Sequence, residues 1–168
     1  STIARNYRGG ISGTGTIRNN LIIANSNTGE YHGAIRVFGD NAVITYNTIV
    51  GNFVNENYIG IIGCERDTIV NSNIIFANEH PNPGGDDQTL IGCEATRKNL
   101  SDRDLSSTGT DNIVGDPLFV DSASDDYALL SVSPANDAGD VTMMPDADFY
   151  GTQRSLGDGP DIGAIESE

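Results

Sequence analysis

The sequence predicts an all-β chain: a short solenoid of parallel strands, about three to a turn, with an irregular acidic cap at its C-terminal end. Three observations predict it. Asparagine-bounded apolar segments return at a nearly constant spacing, beginning at Asn20, Asn47 and Asn73; the apolar runs are only four or five residues long and rich in Ile and Val; and the whole of the −15 net charge falls beyond residue 78.

The repeat is clearest in Asn20-Leu21-Ile22-Ile23-Ala24-Asn25, Asn47-Thr48-Ile49-Val50-Gly51-Asn52 and Asn73-Ile74-Ile75-Phe76-Ala77-Asn78, whose leading asparagines are spaced by 27 and then by 26. Between them, Tyr31-His32-Gly33-Ala34-Ile35 returns as Tyr58-Ile59-Gly60-Ile61-Ile62 at a spacing of 27. Ile62-Gly63-Cys64-Glu65 returns as Ile91-Gly92-Cys93-Glu94 at 29. Gly9-Gly10-Ile11 and Thr16-Ile17 read as a worn earlier copy. No stretch carries a helical apolar period over three turns, which excludes repeats of paired helices, and the leucine-rich pattern is absent. Short strands separated by Gly and Asn remain. Three to four turns stacked at about 4.8 Å each make a body roughly 15–20 Å long. Asparagine suits the corners twice over, because it tolerates left-handed backbone and its amide can hydrogen-bond from turn to turn.

At 168 residues the chain fits one domain. Residues 1–120 read as the repeating turns and 121–168 as the cap and tail of the same domain. Loop excursions are expected near 79–88, through Pro81-Asn82-Pro83-Gly84-Gly85-Asp86-Asp87, and across the polar stretch 95–111. No apolar run approaches the ~20 residues of a membrane-spanning helix. Ser1-Thr2-Ile3-Ala4-Arg5 lacks the charged start and apolar core of a signal peptide. Residues 1–78 carry five acids and five arginines, whereas residues 79–168 carry 19 acids against Arg97, Lys98, Arg103 and Arg154. That excess argues against nucleic acid or an anionic membrane surface as a partner.

Two cysteines are too few for a disulfide framework. Cys64 and Cys93 nevertheless hold equivalent places in adjacent turns, in an inward column with Val37, their backbones about 5 Å apart. A disulfide and a pair of buried free thiols both fit that spacing.

Over residues 7–120 the repeat resembles the right-handed parallel β-helix of the pectate-lyase-like kind, in which asparagines stack at one corner; Asn20, Asn47 and Asn73 hold the matching positions. Residues 112–166 are similar to the C-terminal end of a large group of secreted bacterial β-helix proteins, many with a sorting or anchor segment further on. That group's pattern runs "DPLFVD", a Tyr-rich strand, "SPAIDAGD", an Arg after Gly, and "DIGAYE". The blocks here are Asp116-Pro117-Leu118-Phe119-Val120-Asp121, Asp126-Tyr127-Ala128-Leu129, Ser133-Pro134-Ala135-Asn136-Asp137-Ala138-Gly139-Asp140, Gly151-Thr152-Gln153-Arg154 and Asp161-Ile162-Gly163-Ala164-Ile165-Glu166. Asn136 stands where the group has Ile, and Ile165 where it has an aromatic residue. The resemblance implies the fold and an extracellular or cell-surface location, but no activity, because the fold hosts many functions.

A cap is also what physics asks of a solenoid, whose last turn exposes a row of unpaired backbone groups. Pro117 and Pro134 interrupt strand pairing there, and Asp116, Asp121, Asp126, Asp137 and Asp140 oppose end-to-end stacking. The first turn shows no such cover, so homo-oligomer formation through it is expected unless further chain precedes it.

Lyases of the resembled fold hold calcium with carboxylates against uronate substrates and use Arg or Lys as base. Glu65 and Glu94, each following a cysteine of the repeat, would stack about 5 Å apart in an outward column with Phe38, able to share a proton or chelate Ca2+, with Arg36 and Arg66 as nearby cations. Asp40 and Asp67 lie near equivalent positions. Asp86-Asp87 superficially resembles the paired aspartates of polygalacturonases, but the Asn-x-Asp, Gly-His-Gly and Arg-x-Lys companions are missing. Asp121 and Asp125, in Asp121-Ser122-Ala123-Ser124-Asp125-Asp126, form a loose match to a calcium loop without its central ligand and Gly. His80 reads as a surface residue. A body this short offers little groove for a saccharide. The expectation is therefore a non-enzymatic extracellular or surface module that contacts polysaccharide or assembles with itself. The alternative is a calcium-assisted polysaccharide lyase or glycosidase.

Overall fold

The computed structural model describes residues 1–27, 33–54, 61–80, 89–154 and 157–167. Its strands begin with β1 (Thr2–Ala4), β2 (Ile11–Gly13), β3 (Thr16–Arg18), β4 (Leu21–Ile23) and β5 (Ser26–Asn27). Next come β6 (Ile35–Val37), β7 (Val43–Thr45), β8 (Thr48–Val50), β9 (Phe53–Val54), β10 (Ile62–Gly63), β11 (Ile69–Asn71) and β12 (Ile74–Phe76). Then follow β13 (Leu90–Ile91), β14 (Ala95–Arg97), β15 (Leu100–Ser101), β16 (Gly109–Thr110) and β17 (Ile113–Val114). The hairpin β18 (Phe119–Asp121) and β19 (Asp126–Leu129) is antiparallel.

Three parallel sheets organise most of these strands in a β-helix-like arrangement: β1-β4-β8-β12-β15-β17, β2-β6-β10-β13 and β3-β7-β11-β14-β16, with β5 and β9 forming a separate parallel pair. Leu21 pairs with Thr48 and Thr48 with Ile74, so the register steps, 27 and then 26, are those of the sequence repeat. The worn copy is real structure too, since Ile11 pairs with Ile35 and Thr16 with Val43. Parallel pairing already begins at Thr2, opposite Leu21.

Alternation sends the middle residue inward in the first and third sheets, and the flanking residues, such as Ile35 and Val37 around Arg36, inward in the second. Ile22, Ile49 and Ile75 meet Ile35, Ile62 and Leu90 from the second sheet and Ile17, Ile44 and Val70 from the third in one core. Val37, Cys64 and Cys93 lie in that core, and of the two states open to the cysteines the structure has the disulfide, with Cα atoms 5.0 Å apart.

Two asparagine ladders run up the corners on either side of the six-stranded sheet. Asn20, Asn47, Asn73, Asn99 and Asn112 form the first: each one's backbone N–H and Nδ2 donate to Oδ1 of the next at 2.9–3.1 Å. Asn6, Asn25, Asn52 and Asn78 form the second in the same way. The left-handed corner residue is not the ladder asparagine, as expected from sequence, but the residue before it. Asn19, Tyr46, Ser72, Lys98 and Asp111 all have φ between 50° and 57°. Asparagine is selected because one side chain must accept two bonds from the turn before and donate to the turn after.

The expected excursion over 95–111 is corrected in part. Ala95–Ser101 stay in the sheets as β14 and β15, and the irregular part is confined to 102–108. There the register step drops to 13, Leu100 pairing with Ile113 and Asn99 with Asn112, and Leu105 joins the core in place of a strand of the second sheet. Of the other excursion, 81–88 lies outside the described residues, as do Tyr31, His32, Tyr58, Ile59 and Gly60 of the second sequence pattern.

The acidic C-terminal region was expected at the end of the stack. It lies instead along the outer face of the six-stranded sheet. Leu21, Ile23 and Val50 meet Tyr127, Ala164 and Ile165, while Ile74 and Leu100 meet Leu129, Ala135 and Ile162. The sheet therefore has two apolar faces, one on the core and one under the tail, which is why its strands read as unbroken apolar runs.

Candidate binding surfaces and the buried charge network

The charged residues of the C-terminal region converge on Arg154, whose side chain is fully buried. Its Nη1 lies 3.3 Å from Glu166 Oε2, and its Nη2 donates to Gly163 O and Asn19 Oδ1. The guanidinium lies 4.4 Å from the centre of the Tyr46 ring. Burial pushes the Tyr46 phenol up to about 12 and draws Arg154 down, against the opposing pull of Glu166. Asp161 accepts from the N–H of Asp137 and of Ser167, and burial raises it nonetheless. Asp148 accepts from the N–H of Tyr150, Thr152 and Glu166. Burial alone would raise Asp140, but the Asn71 amide, both donors of Thr142 and Arg97 outweigh it and hold it at about 2. Tyr46 donates to Asp140 O, and Ser72 Oγ accepts from Asp140 N. Thus the acids and the arginine of the C-terminal blocks tie the tail to the corner preceding the first ladder. Chemically, this network locks backbone in place; every carboxylate in it accepts main-chain N–H bonds, a structural use of charge.

The residues singled out for chemistry are dispersed. Arg36, on β6, lies flat across Gly63 of β10, where a Cβ would meet Arg36 Nη1 at 2.7 Å. There it pairs with Glu65 at 3.1 Å, 5.7 Å from the centre of the Phe38 ring. Glu94 is exposed and lies directly before β14, whereas four residues separate Cys64 from β11. By the β11–β14 register, Glu94 falls opposite Thr68 rather than Glu65, so the chain leaves the two half-cystines differently. Arg66, Asp40 and Asp67 are exposed, Asp67 with φ 60° in the turn after Glu65. Asp86 and Asp87 lie outside the described residues. Asp121 accepts from Ser124 Oγ at 2.7 Å, and Asp125 is held by Arg5 at 2.9 Å. Among the described residues no group of three or more His, Cys, Asp or Glu side chains is placed to hold a metal ion. The expected Ca2+ ligands Glu65 and Asp125 face arginines instead, so the donor set does not fit calcium there.

What sequence reasoning missed is a cleft of about 150 Å3 between the first strands of the six-stranded sheet and the tail. Ala4, Leu21 and Ile23 form its floor, Tyr127, Phe149 and Tyr150 its wall, and the Arg5–Asp125 pair its mouth. Phe149 and Tyr150 meet edge to face at 4.9 Å, and Tyr150 is 66% exposed. No local signal could have found it, because Arg5 and Asp125 are 120 residues apart.

Among the described residues no helix is long and apolar enough to cross a membrane. No family model matches the chain, and no curated protein matches it either.

Proposed function

We propose that the chain is a right-handed parallel β-helix of three to four turns, of the pectate-lyase-like kind, acting as a non-enzymatic extracellular or cell-surface module that contacts polysaccharide. One observation carries the reading: of the charged side chains on which catalysis would draw, Glu65 and Arg36 are engaged with each other at 3.1 Å, and Glu94 falls opposite Thr68 rather than beside Glu65. A base must be free to take a proton and a calcium ligand free to coordinate. The Cys64–Cys93 disulfide supports an oxidising compartment. Incubation with polyuronates and calcium tests it, with two readouts: ultraviolet absorbance of unsaturated products and retention on immobilised polysaccharide. Retention without turnover is expected. Turnover abolished by Glu65→Ala or Glu94→Ala would favour a calcium-assisted lyase or glycosidase and overturn the module reading.

Self-assembly is favoured by a separate observation. Among the described residues, β1, β2 and β3 each pair on one side, with β4, β6 and β7. Beyond the Arg5–Asp125 pair, residues 1–27 carry Arg8 and Arg18 and no acid, whereas residues 100–110 carry Asp102 and Asp104 against Arg103. Head-to-tail stacking would join unpaired edges and opposite charge. Light scattering should then show association that weakens as salt rises; a monomer at every salt concentration would refute it.

A further inference from the structure

Resting on the polysaccharide reading, we infer that the cleft between β1, β4 and the tail binds a single uncharged pyranose unit of the glycan. Size comes first. The cleft's volume of about 150 Å3 is half the lower end of the ~300–1,000 Å3 typical of larger ligands, which limits the occupant to one ring.

Polarity comes second. A pyranose has hydroxyls around its edge and C–H groups across one face. The floor of Ala4, Leu21 and Ile23 and the rings of Tyr127, Phe149 and Tyr150 supply apolar surface for that face. Arg5 and Asp125 supply donors and acceptors for the edge.

Charge decides between ligand classes. Arg5 Nη2 donates to both Asp125 oxygens, at 3.0 and 2.9 Å, so the mouth is already neutral. Beside this neutral pair a uronate gains no net attraction and brings its carboxylate against Asp125, and a cation likewise brings its charge against Arg5. A neutral hydroxylated ring meets neither repulsion, and it can still use guanidinium N–H groups and carboxylate lone pairs that the pair leaves over. The Tyr127 phenol, raised by burial and then by Asp125, closes the mouth on the same side as that carboxylate.

The test is ligand-observed saturation-transfer NMR on the intact chain, with methyl glycosides of neutral pyranoses and of the matching uronates, alongside retention on the parent polysaccharides. Neutral glycosides should bind and uronates should bind more weakly. Tyr150→Ala, at an exposed position, should weaken neutral binding about tenfold, while Val114→Ala, exposed on β17 at the edge of the sheet opposite β1, leaves it unchanged. Neutral binding that Tyr150→Ala does not alter, or a preference for uronates, overturns the cleft assignment. Polysaccharide retention that survives Tyr150→Ala but is lost in Arg36→Ala overturns the cleft while leaving the module reading intact. Absence of retention on every polysaccharide overturns both.

Discussion

Replacing Asn73 by Ala tests the ladder at its centre. Asn73 is fully buried. Its Oδ1 accepts from the backbone N–H and the Nδ2 of Asn47, both at 3.0 Å, and its Nδ2 donates to Ile44 O, Asn71 O and Asn99 Oδ1. The alanine variant leaves the Asn47 N–H without an acceptor at a site closed to water, since Asn47 is itself fully buried. Orphaning that buried donor costs about 1–3 kcal/mol, and loss of the amide's own net hydrogen-bonding contribution adds about 1 kcal/mol. The total is about 3 kcal/mol, a large share of the ~5–15 kcal/mol that holds a domain together. Urea unfolding followed by circular dichroism, with the disulfide intact, measures it as a shift of midpoint at constant slope. Asn20→Ala is the control, because Asn20, half-buried at the ladder's start, donates along it to Asn47 Oδ1 and its replacement leaves the buried N–H groups of the ladder their acceptors; it should cost about 1 kcal/mol. Equal losses at the two positions, or a loss below about 0.5 kcal/mol at Asn73, would falsify the claim that the ladder is a load shared from turn to turn.

Three further outcomes follow from the same geometry. Joint replacement of Cys64 and Cys93 by Ala removes a link across 29 residues and should lower stability by about 3–4 kcal/mol; an unchanged urea midpoint would sink this. Arg154→Met strands Glu166 and Asp161 in a buried site, at a cost of about 3–5 kcal/mol. Limited proteolysis should then cut first within the tail, and cleavage beginning in the sheets would contradict it. Asp140, held at about 2 against an ordinary 3.8, binds its proton less readily folded than unfolded. Its contribution of about 2 kcal/mol is therefore complete above the ordinary value and lost as pH falls toward 2, partly offset by Asp161, whose shift is upward. Asp140→Asn should flatten the acid limb of a stability–pH curve; an identical limb in both proteins would refute the assignment.

The repeat was legible because a parallel stack forces equivalent residues into register, and register preserves spacing. The successive steps of 27 and 26, the place of Cys64 over Val37, and the ladder at Asn20, Asn47 and Asn73 all follow from that one constraint, whereas Cys93 does not: β13 pairs with β10 at a step of 28, not the 29 of the sequence match, and Gly92, at φ 71°, takes up the extra residue before Cys93. Asn112 was missed because the turn that joins it to Asn99 is half-length and breaks the spacing, whereas Asn99 keeps the step of 26 but is followed by Leu100-Ser101-Asp102 instead of an apolar triplet. Which residue adopts the left-handed corner was not legible either. Tyr46 and Lys98 do so, against their own preference, because the ladder bonds on the following residue fix the corner around them.

The position of the tail escaped sequence reasoning for a different reason. Charge and proline content said that the region could not continue the stack, and the exposed end of the stack was the one surface known to need cover. The alternative signal was in the strands themselves. Leu21-Ile22-Ile23 and Ile74-Ile75-Phe76 are apolar at every position, and a strand with only one buried face alternates. Their outward residues require cover, and a segment crossing them must come close. Gly163, at φ 105°, passes where a Cβ would meet Ile74 Cδ1 at 2.7 Å, which explains the glycine in Asp161-Ile162-Gly163-Ala164. Arg154, Asp161 and Glu166 then fasten that crossing from within. The most distinctive block of the sequence is therefore a record of packing. A binding site must be sought where the cover stops short, which on this face is the cleft beside β1.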